Sequence, residues 1–161
     1  EPKWQKFDLD ELILSFIDPF QCQAELAGKE LRVRLGYGGQ IVADRQMITE
    51  LAVILLENAL KYTEPGDRIE ISTRKAGEKV LLSVGDTGAG VSESAMEKIF
   101  TRYYREERQQ GKKDGSGLGL YIASLIVRRH RGKIYAEHNK PKGTVFTAVF
   151  PAKGSGGSSQ K

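Results

Sequence analysis

The stretch that most constrains this chain is Arg45 to Tyr62, RQMITELAVILLENALKY. Its apolar residues Met47, Ile48, Leu51, Ile54, Leu55 and Ala59 recur at helical spacing, so the helix they predict must turn a stripe toward a core. Asn58 falls four residues after Ile54 and seven after Leu51, on or beside that buried face. An amide in such a place costs roughly 1–3 kcal/mol unless something pairs with it. Two readings of Asn58 stand on these residues alone. Either the amide bonds neighbouring backbone, or its oxygen points into a cavity and holds a metal or ligand. Lys61 and Tyr62, one turn further on, border the same opening.

At 161 residues the chain is expected to be one domain that buries roughly 70 % of its unfolded surface. Its net charge of +4 is spread along the sequence and forms no nucleic-acid stripe. A single cysteine, Cys22, excludes an internal disulfide and fits a reducing compartment. Placed among Phe20, Gln23 and Leu26, it reads as a helix packing residue. No apolar run nears the roughly 18 residues needed to cross a membrane, and no signal-peptide pattern opens the chain. The expectation is a soluble cytosolic domain over residues 1–152, with a flexible Gly/Ser-rich tail over 153–161. The abrupt start, EPKWQKFDLDE, reads as a cut from something larger.

Taken in order, Phe7 to Asp10 predicts a short extended lead-in, with Asp10 as cap of the following helix. Leu12, Ile13, Phe16, Ile17, Phe20 and Leu26 give that helix its apolar face, Pro19 implies a kink or restart, and Gly28 ends it. Glu30 to Leu35 alternates as a half-buried strand, Gly36 to Gly39 turns, and Gln40 to Ala43 is a second strand. Asp44 caps the central helix, and Thr63 to Asp67 breaks it. Arg68 to Arg74 and Lys79 to Val84 pair through a turn at Ala76-Gly77. A glycine-rich loop, Gly85 to Val91, follows, and Ser92 caps a short helix to Phe100. Thr101 to Ser116 has no apolar period and reads as a mobile, functional loop. Helical spacing returns from Gly117 to His130, and two strands, Lys133 to Glu137 and Thr144 to Phe150, close the chain around Pro141-Lys142-Gly143. Hairpin-like strand pairs instead of repeated βαβ units predict a mixed sheet with helices on one face, a two-layer α/β sandwich.

Several phosphate-binding patterns are excluded. GxxxxGK[ST] is absent, the third glycine of GxGxxG is missing after Gly88-Ala89-Gly90, and neither HRD nor DFG occurs. What remains is Gly115-Ser116-Gly117-Leu118-Gly119-Leu120 opening a helix, where free N–H groups and the helix dipole favour an anion. The ordered set LLENALKYT, GDTGAGV, IFTRYYR, GSGLGLYIASLIVRRHRG and GKIYAEHNKPKGTVFTAVFP resembles the ATP-binding domain of bacterial two-component sensor histidine kinases. That family shares a superfamily with gyrase, the MutL mismatch-repair proteins and the heat-shock-ninety chaperones. The likeness runs from about Phe7 to Pro151.

The resemblance implies a Bergerat-type ATP-binding fold, with a mostly antiparallel sheet covered on one face by helices. It implies ATP with Mg²⁺ as ligands, Asn58 on the metal, and Lys61 and Tyr62 at the phosphates. Asp86 would accept from the adenine amino group, and Gly88 and Gly90 would let the chain pass beneath the base. Thr144 would complete adenine recognition through its hydroxyl. Gly115, Gly117 and Gly119 would offer N–H groups to phosphates, with Leu118 and Leu120 packed behind. Tyr104 and Arg105 match the end of IFTRYYR, and Arg105 would meet the γ-phosphate. Asn58, Lys61 and Arg105 are thus the implied catalytic residues.

Two departures bear on function. Ile54 stands where the family often has Asn and where hydrolysing relatives have a Glu base. His130 and His138 lie outside any H-[DE] context, so neither reads as a phosphoacceptor. The implied activity is phosphoryl transfer from ATP to a histidine on a separate helical dimerisation domain, with a response regulator downstream. The fragment itself is expected to be a monomer in the cytosolic portion of a membrane-bound sensor. Two other classes remain beside it, an ATPase-type conformational clamp and a nucleotide-binding pseudokinase acting as an interaction module.

Overall fold

The computed structural model describes residues 1–102, 104 and 117–154. Its elements are β1 (Trp4–Asp8), α1 (Leu9–Phe16), α2 (Asp18–Leu26), β2 (Glu30–Leu35), β3 (Gln40–Asp44), α3 (Arg45–Lys61), β4 (Arg68–Ala76), β5 (Lys79–Asp86), α4 (Gly119–Arg129), β6 (Lys133–His138) and β7 (Thr144–Pro151). Five strands form one sheet in the order β2-β4-β5-β7-β6, while β1 and β3 pair separately. Only β2 and β4 run parallel in the larger sheet; its other neighbours are antiparallel. The mixed, mostly antiparallel sandwich expected from the sequence is therefore present.

Period-two alternation decides which face the helices cover. Ile69, Ile71 and Thr73 of β4, Val80, Leu82 and Val84 of β5, and Phe146, Ala148 and Phe150 of β7 are all buried. They meet a wide apolar band on α3, built from Ile48, Leu51, Ala52, Leu55, Leu56, Ala59 and Leu60. From α4, Ala123, Ile126 and Val127 complete this core. Burial of one such aliphatic side chain stabilises the fold by roughly 1.5–3 kcal/mol, so α3 is held by packing more than by propensity.

Several expectations need correction. The cap of α1 is Asp8, whose carboxylate accepts from the Glu11 N–H at 2.9 Å. Asp10 instead accepts from the Thr73 hydroxyl at 2.7 Å and the Gly38 N–H at 2.9 Å, pinning the turn after β2. β2 and β3 do not form a hairpin, because each pairs elsewhere. Pro19 marks a restart, sitting in the first turn of α2. Cys22 is exposed, since α2 buries only Ala24. The helix expected after Ser92 is one turn of 3₁₀ helix, Glu93–Ala95, without a side-chain cap bond.

Asp44 does cap α3, accepting from the Met47 N–H at 3.0 Å, and its second oxygen accepts from the Lys3 N–H at 2.7 Å. Its own N–H donates to His130 Nε2 at 3.1 Å. Nδ1 of His130 lies 2.8 Å from the Ile126 carbonyl, so the buried ring is neutral with its proton on Nδ1. Trp4 and Phe150 meet the ring at centroid distances of 5.2 and 5.8 Å. Burial there holds the His130 pKa below the usual imidazole value, and the Ile126 carbonyl and Asp44 carboxylate offset this only in part. A depressed histidine pKa stabilises the fold above the unfolded value near ~6.5, and that contribution is lost as pH falls. Urea midpoints should therefore drop between pH 7.5 and pH 5.5, and His130→Gln should flatten that slope. An equal slope in the variant would remove His130 as its source.

Candidate functional site

At one end of the sheet the buried phase of two neighbouring strands turns polar. Asp86 continues the row Val80, Leu82, Val84, and Thr144 begins the row Phe146, Ala148, Phe150. The β5–β7 register sets Asp86 directly opposite Thr144, so both side chains leave the sheet on the helix-covered face. Asp86 is 2 % exposed and Thr144 0 %. One carboxylate oxygen of Asp86 accepts from the Gly88 N–H at 2.9 Å, which fixes the side-chain direction. Among the described residues the Thr144 hydroxyl is buried without a hydrogen-bond partner.

α3 supplies the facing wall. Ile54, Asn58 and Tyr62 lie one turn apart on one flank of the helix. At the Tyr62 end, Gly88 comes so close that a Cβ there would overlap the Tyr62 carbonyl and stand 3.1 Å from Thr63 Cγ2. At the other end, a Cβ on Gly119 would sit 3.6 Å from Ile54 Cγ2, an ordinary contact. Asn58 is therefore suspended between the loop after β5 and the first turn of α4. Its amide nitrogen is buried and, among the described residues, unpartnered. Nitrogen and oxygen of such an amide exchange places by rotation, so this position can present either a donor or an oxygen ligand.

Of the glycine-rich stretch leading into α4, residues 117–120 are described. Gly117 has φ +80, and Leu118 occupies the position before the helix, its carbonyl accepting from the Ile122 N–H at 2.8 Å. Leu120 packs against the core behind the Gly119 N-terminus. Gly90, at φ +87, crosses over Gly143. Lys61 lies half-buried in the last turn of α3. Phe100 meets Phe146 edge-on at 5.9 Å, and Tyr104 packs on the same core, which brings the start of the 101–116 segment beside β7. Arg105 and Gly115 lie outside the described residues. Glu57, beside Asn58 in sequence, is exposed and turned away.

Asp67 braces the loop from below, accepting from the Glu64 N–H at 2.8 Å and the Thr87 hydroxyl at 3.0 Å. Burial raises its pKa, but those bonds and the Lys142 ammonium outweigh it and hold the carboxyl below the usual range. A separate hollow of about 550 Å³ opens near the far end of β4, lined by Arg34, Gly36, Glu70, Ser72 and Arg74. It shares no residue with this site. The sequence placed the turn between β6 and β7 but gave it no part in the site; Asp86 and Thr144 were implied by the family resemblance, and the structure shows them at buried phases of β5 and β7.

Residues 43–154 match the family described as histidine kinase-, DNA gyrase B-, and HSP90-like ATPase. The chain belongs to this family. It is 38 % identical over 112 residues to the adaptive-response sensory kinase SasA of Crocosphaera subtropica, covering 69 % of this chain and 29 % of that protein. It is 32 % identical over 151 residues to the sensor histidine kinase RppB of Synechocystis sp., covering 92 % of this chain and 33 % of that protein. The chain thus spans about a third of the length of the curated relatives it matches. Among solved structures, the nucleotide-free catalytic domain of histidine kinase ThkA superposes with a TM-score of 0.83 at 26 % identity, over 95 % of this chain and 99 % of that one. Within the family, this is the ATP-binding catalytic domain of sensor histidine kinases. The expected fold and family are both present.

Space, more than backbone angle, demands glycine at position 88. Gly88→Ala should cost about 1–3 kcal/mol in urea unfolding, because its methyl meets backbone that cannot yield. Gly119→Ala, with only an ordinary contact ahead of it, should lose nothing. Equal effects of the two would show that the Gly88–Tyr62 approach is not a constraint.

Proposed function

We propose that the seam between α3, α4 and the ends of β5 and β7 binds ATP with Mg²⁺ and presents the γ-phosphoryl to a histidine on a separate helical dimerisation domain. The observation that carries this reading is the pair of buried polar atoms, Asn58 Nδ2 and Thr144 Oγ1, unpartnered among the described residues, with the fixed Asp86 carboxylate paired across the sheet from Thr144. Buried polar groups are nearly always paired, and each orphan costs about 1–3 kcal/mol. A ligand that bonds to both removes that cost.

In this reading Asp86 accepts from the adenine amino group, and Thr144, opposite it, completes the recognition. Gly88 and Gly90 give the base a surface without Cβ atoms. Asn58 turns its amide oxygen to the metal, which when bound would neutralise phosphate charge. Ile54 supplies no second oxygen, so the remaining ligands would be waters and phosphates. Lys61 and Tyr62 hold phosphates from the α3 side. Gly115, Gly117 and Gly119 direct N–H groups at them from the start of α4. Arg105, beyond Tyr104, steadies the γ-phosphate as it passes to the imidazole and ADP leaves.

In this reading the acceptor comes from outside residues 1–161. His130 is buried and bonded through both nitrogens, and His138 pairs with Glu93 at 3.1 Å. ThkA has been solved in complex with the response regulator TrrA, and this chain is 27 % identical to the matched chain of that structure, over 42 % of its length. A response regulator is accordingly the proposed downstream partner, and the chain by itself is proposed to be monomeric. No helix among the described residues is long and apolar enough to cross a membrane; attachment to a membrane sensor is part of the proposal. The clamp reading loses its base, because Ile54 packs toward Gly119 and cannot activate water.

Calorimetry should register ADP binding that strengthens with Mg²⁺; a folded sample giving no heat at millimolar nucleotide would sink the proposal. Asp86→Asn should weaken ATP while sparing GTP, since it places a donor at the amino-group contact. Asn58→Ala should cut transfer to a histidine domain supplied in trans by about 10- to 100-fold. Its Tm should stay near wild type, because the amide nitrogen it removes has no partner among the described residues. A lowered Tm with intact transfer would make Asn58 structural.

A further inference from the structure

The turn joining β6 to β7, residues 139–143, does more than reverse the chain. Asn139 Nδ2 donates to the backbone carbonyl of Asp86 at 2.8 Å. Two more polar groups of Asn139 are engaged within the turn: its N–H donates to the Gly143 carbonyl at 2.9 Å, and Oδ1 accepts from the Lys140 N–H at 2.9 Å. The side chain therefore has one orientation. Lys142 Nζ donates to the Thr87 carbonyl and lies 3.4 Å from the Gly88 carbonyl. It also stands 3.6 Å from Asp67 Oδ1, the oxygen that accepts from the Thr87 hydroxyl. Gly143 has φ +109, and a Cβ there would overlap the Asp86 carbonyl and stand 2.8 Å from Thr87 Cα. One turn thus holds three consecutive carbonyls, those of Asp86, Thr87 and Gly88.

These carbonyls are the back of the peptide run whose front carries the Asp86 carboxylate and the Gly88 N–H that fixes it. Moving any of the three peptide planes swings the carboxylate. A strand end followed by glycines has little stiffness of its own, so its direction must be set from outside.

We propose that Asn139 and Lys142 are positioning residues for nucleotide specificity: they fix the Asp86–Gly88 backbone from behind, and so aim the Asp86 carboxylate at the exocyclic amino group of an adenine-type base. This rests on the reading of Asp86 given above. Asn139 carries the larger share because its bond is partly buried, whereas the Lys142 side chain is 63 % exposed and its contacts are screened. Precision of this kind matters because a hydrogen bond weakens steeply as its geometry departs from linear.

Calorimetry with Mg²⁺-ADP and Mg²⁺-IDP tests it, since IDP lacks the exocyclic amino group and the ratio of the two Kd values reads the Asp86 contact. Asn139→Asp is the informative variant: it keeps the acceptor for the Lys140 N–H but replaces the donor facing the Asp86 carbonyl. It should raise the Kd for ADP by about tenfold, the equivalent of one well-placed hydrogen bond, and leave IDP nearly unchanged. Lys142→Met, at an exposed position that leaves folding intact, should shift the ratio in the same direction by a smaller factor, and Lys142→Arg should restore it. ADP and IDP weakened alike would assign the turn a merely structural role, and wild-type ratios in both variants would overturn the proposal. Asp86→Asn is the control on the underlying reading. If it too keeps the wild-type ratio, Asp86 does not read the base; if it loses the ratio while Asn139→Asp keeps it, only the positioning role fails.

Discussion

The approach of Gly88 to the Tyr62 carbonyl is the contact on which the site depends. It brings the end of α3 and the end of β5 together more closely than any side chain would allow. Because α3 is a rigid rod locked into the core by seven buried residues, fixing its last turn also fixes Asn58 one turn back. Fixing β5 fixes Asp86, and the β5–β7 register then fixes Thr144. Three side chains separated by 86 positions between Asn58 and Thr144 therefore share one seam with no bond among them in the described structure. Their arrangement is inherited from packing.

That arrangement has an energetic cost, visible in two buried polar atoms without partners among the described residues. The rest of the fold handles its buried polar groups differently. Asp44 is fully occupied by Lys3, Met47 and His130, and Thr73 by Asp10, Gly36 and Tyr37. These two knots lie away from the seam, one tying the N-terminal strand and α4 to the start of α3, the other pinning the turn after β2. The contrast separates groups that serve the fold from groups held ready for a ligand.

Much of this was legible in the sequence, where the signal was local. The α3 stripe with Asn58 on its flank follows from a period of 3.6 interrupted by a polar residue, and the two glycine loops from their composition, whereas Asp86 and Thr144 came from the resemblance to the family. Partner choice was not legible. Glu30 to Leu35 and Gln40 to Ala43 flank Gly36 to Gly39 as a hairpin would, yet β2 joins β4 and β3 joins β1, because long-range pairing leaves no mark on a short strand. Asp10 was expected to cap α1, but Asp8 takes that place. Asp8 prevails because Thr73, 63 residues away from Asp10, claims the second carboxylate. Cys22 looked like a packing residue because Phe20 and Leu26 flank it, but α2 turns only a narrow edge inward, and Leu26 is 85 % exposed. The role of Asn139 left no trace, since an Asn before Pro and Gly is the ordinary composition of a turn.

The central claim is that nucleotide enters the seam bounded by Asn58, Asp86 and Thr144, and nowhere else on the sheet. Resolved NMR signals of the isotopically labelled chain, followed while Mg²⁺-ADP is added, test it most directly. The Asn58 side-chain amide and the backbone N–H groups of Gly88, Gly119 and Thr144 should shift together along one binding curve. The N–H groups of Gly36, Gly38 and Thr73, beside the hollow at the far end of β4, should stay in place. Shifts centred on Gly36 and Thr73, with the Asn58 amide unmoved, would contradict the account.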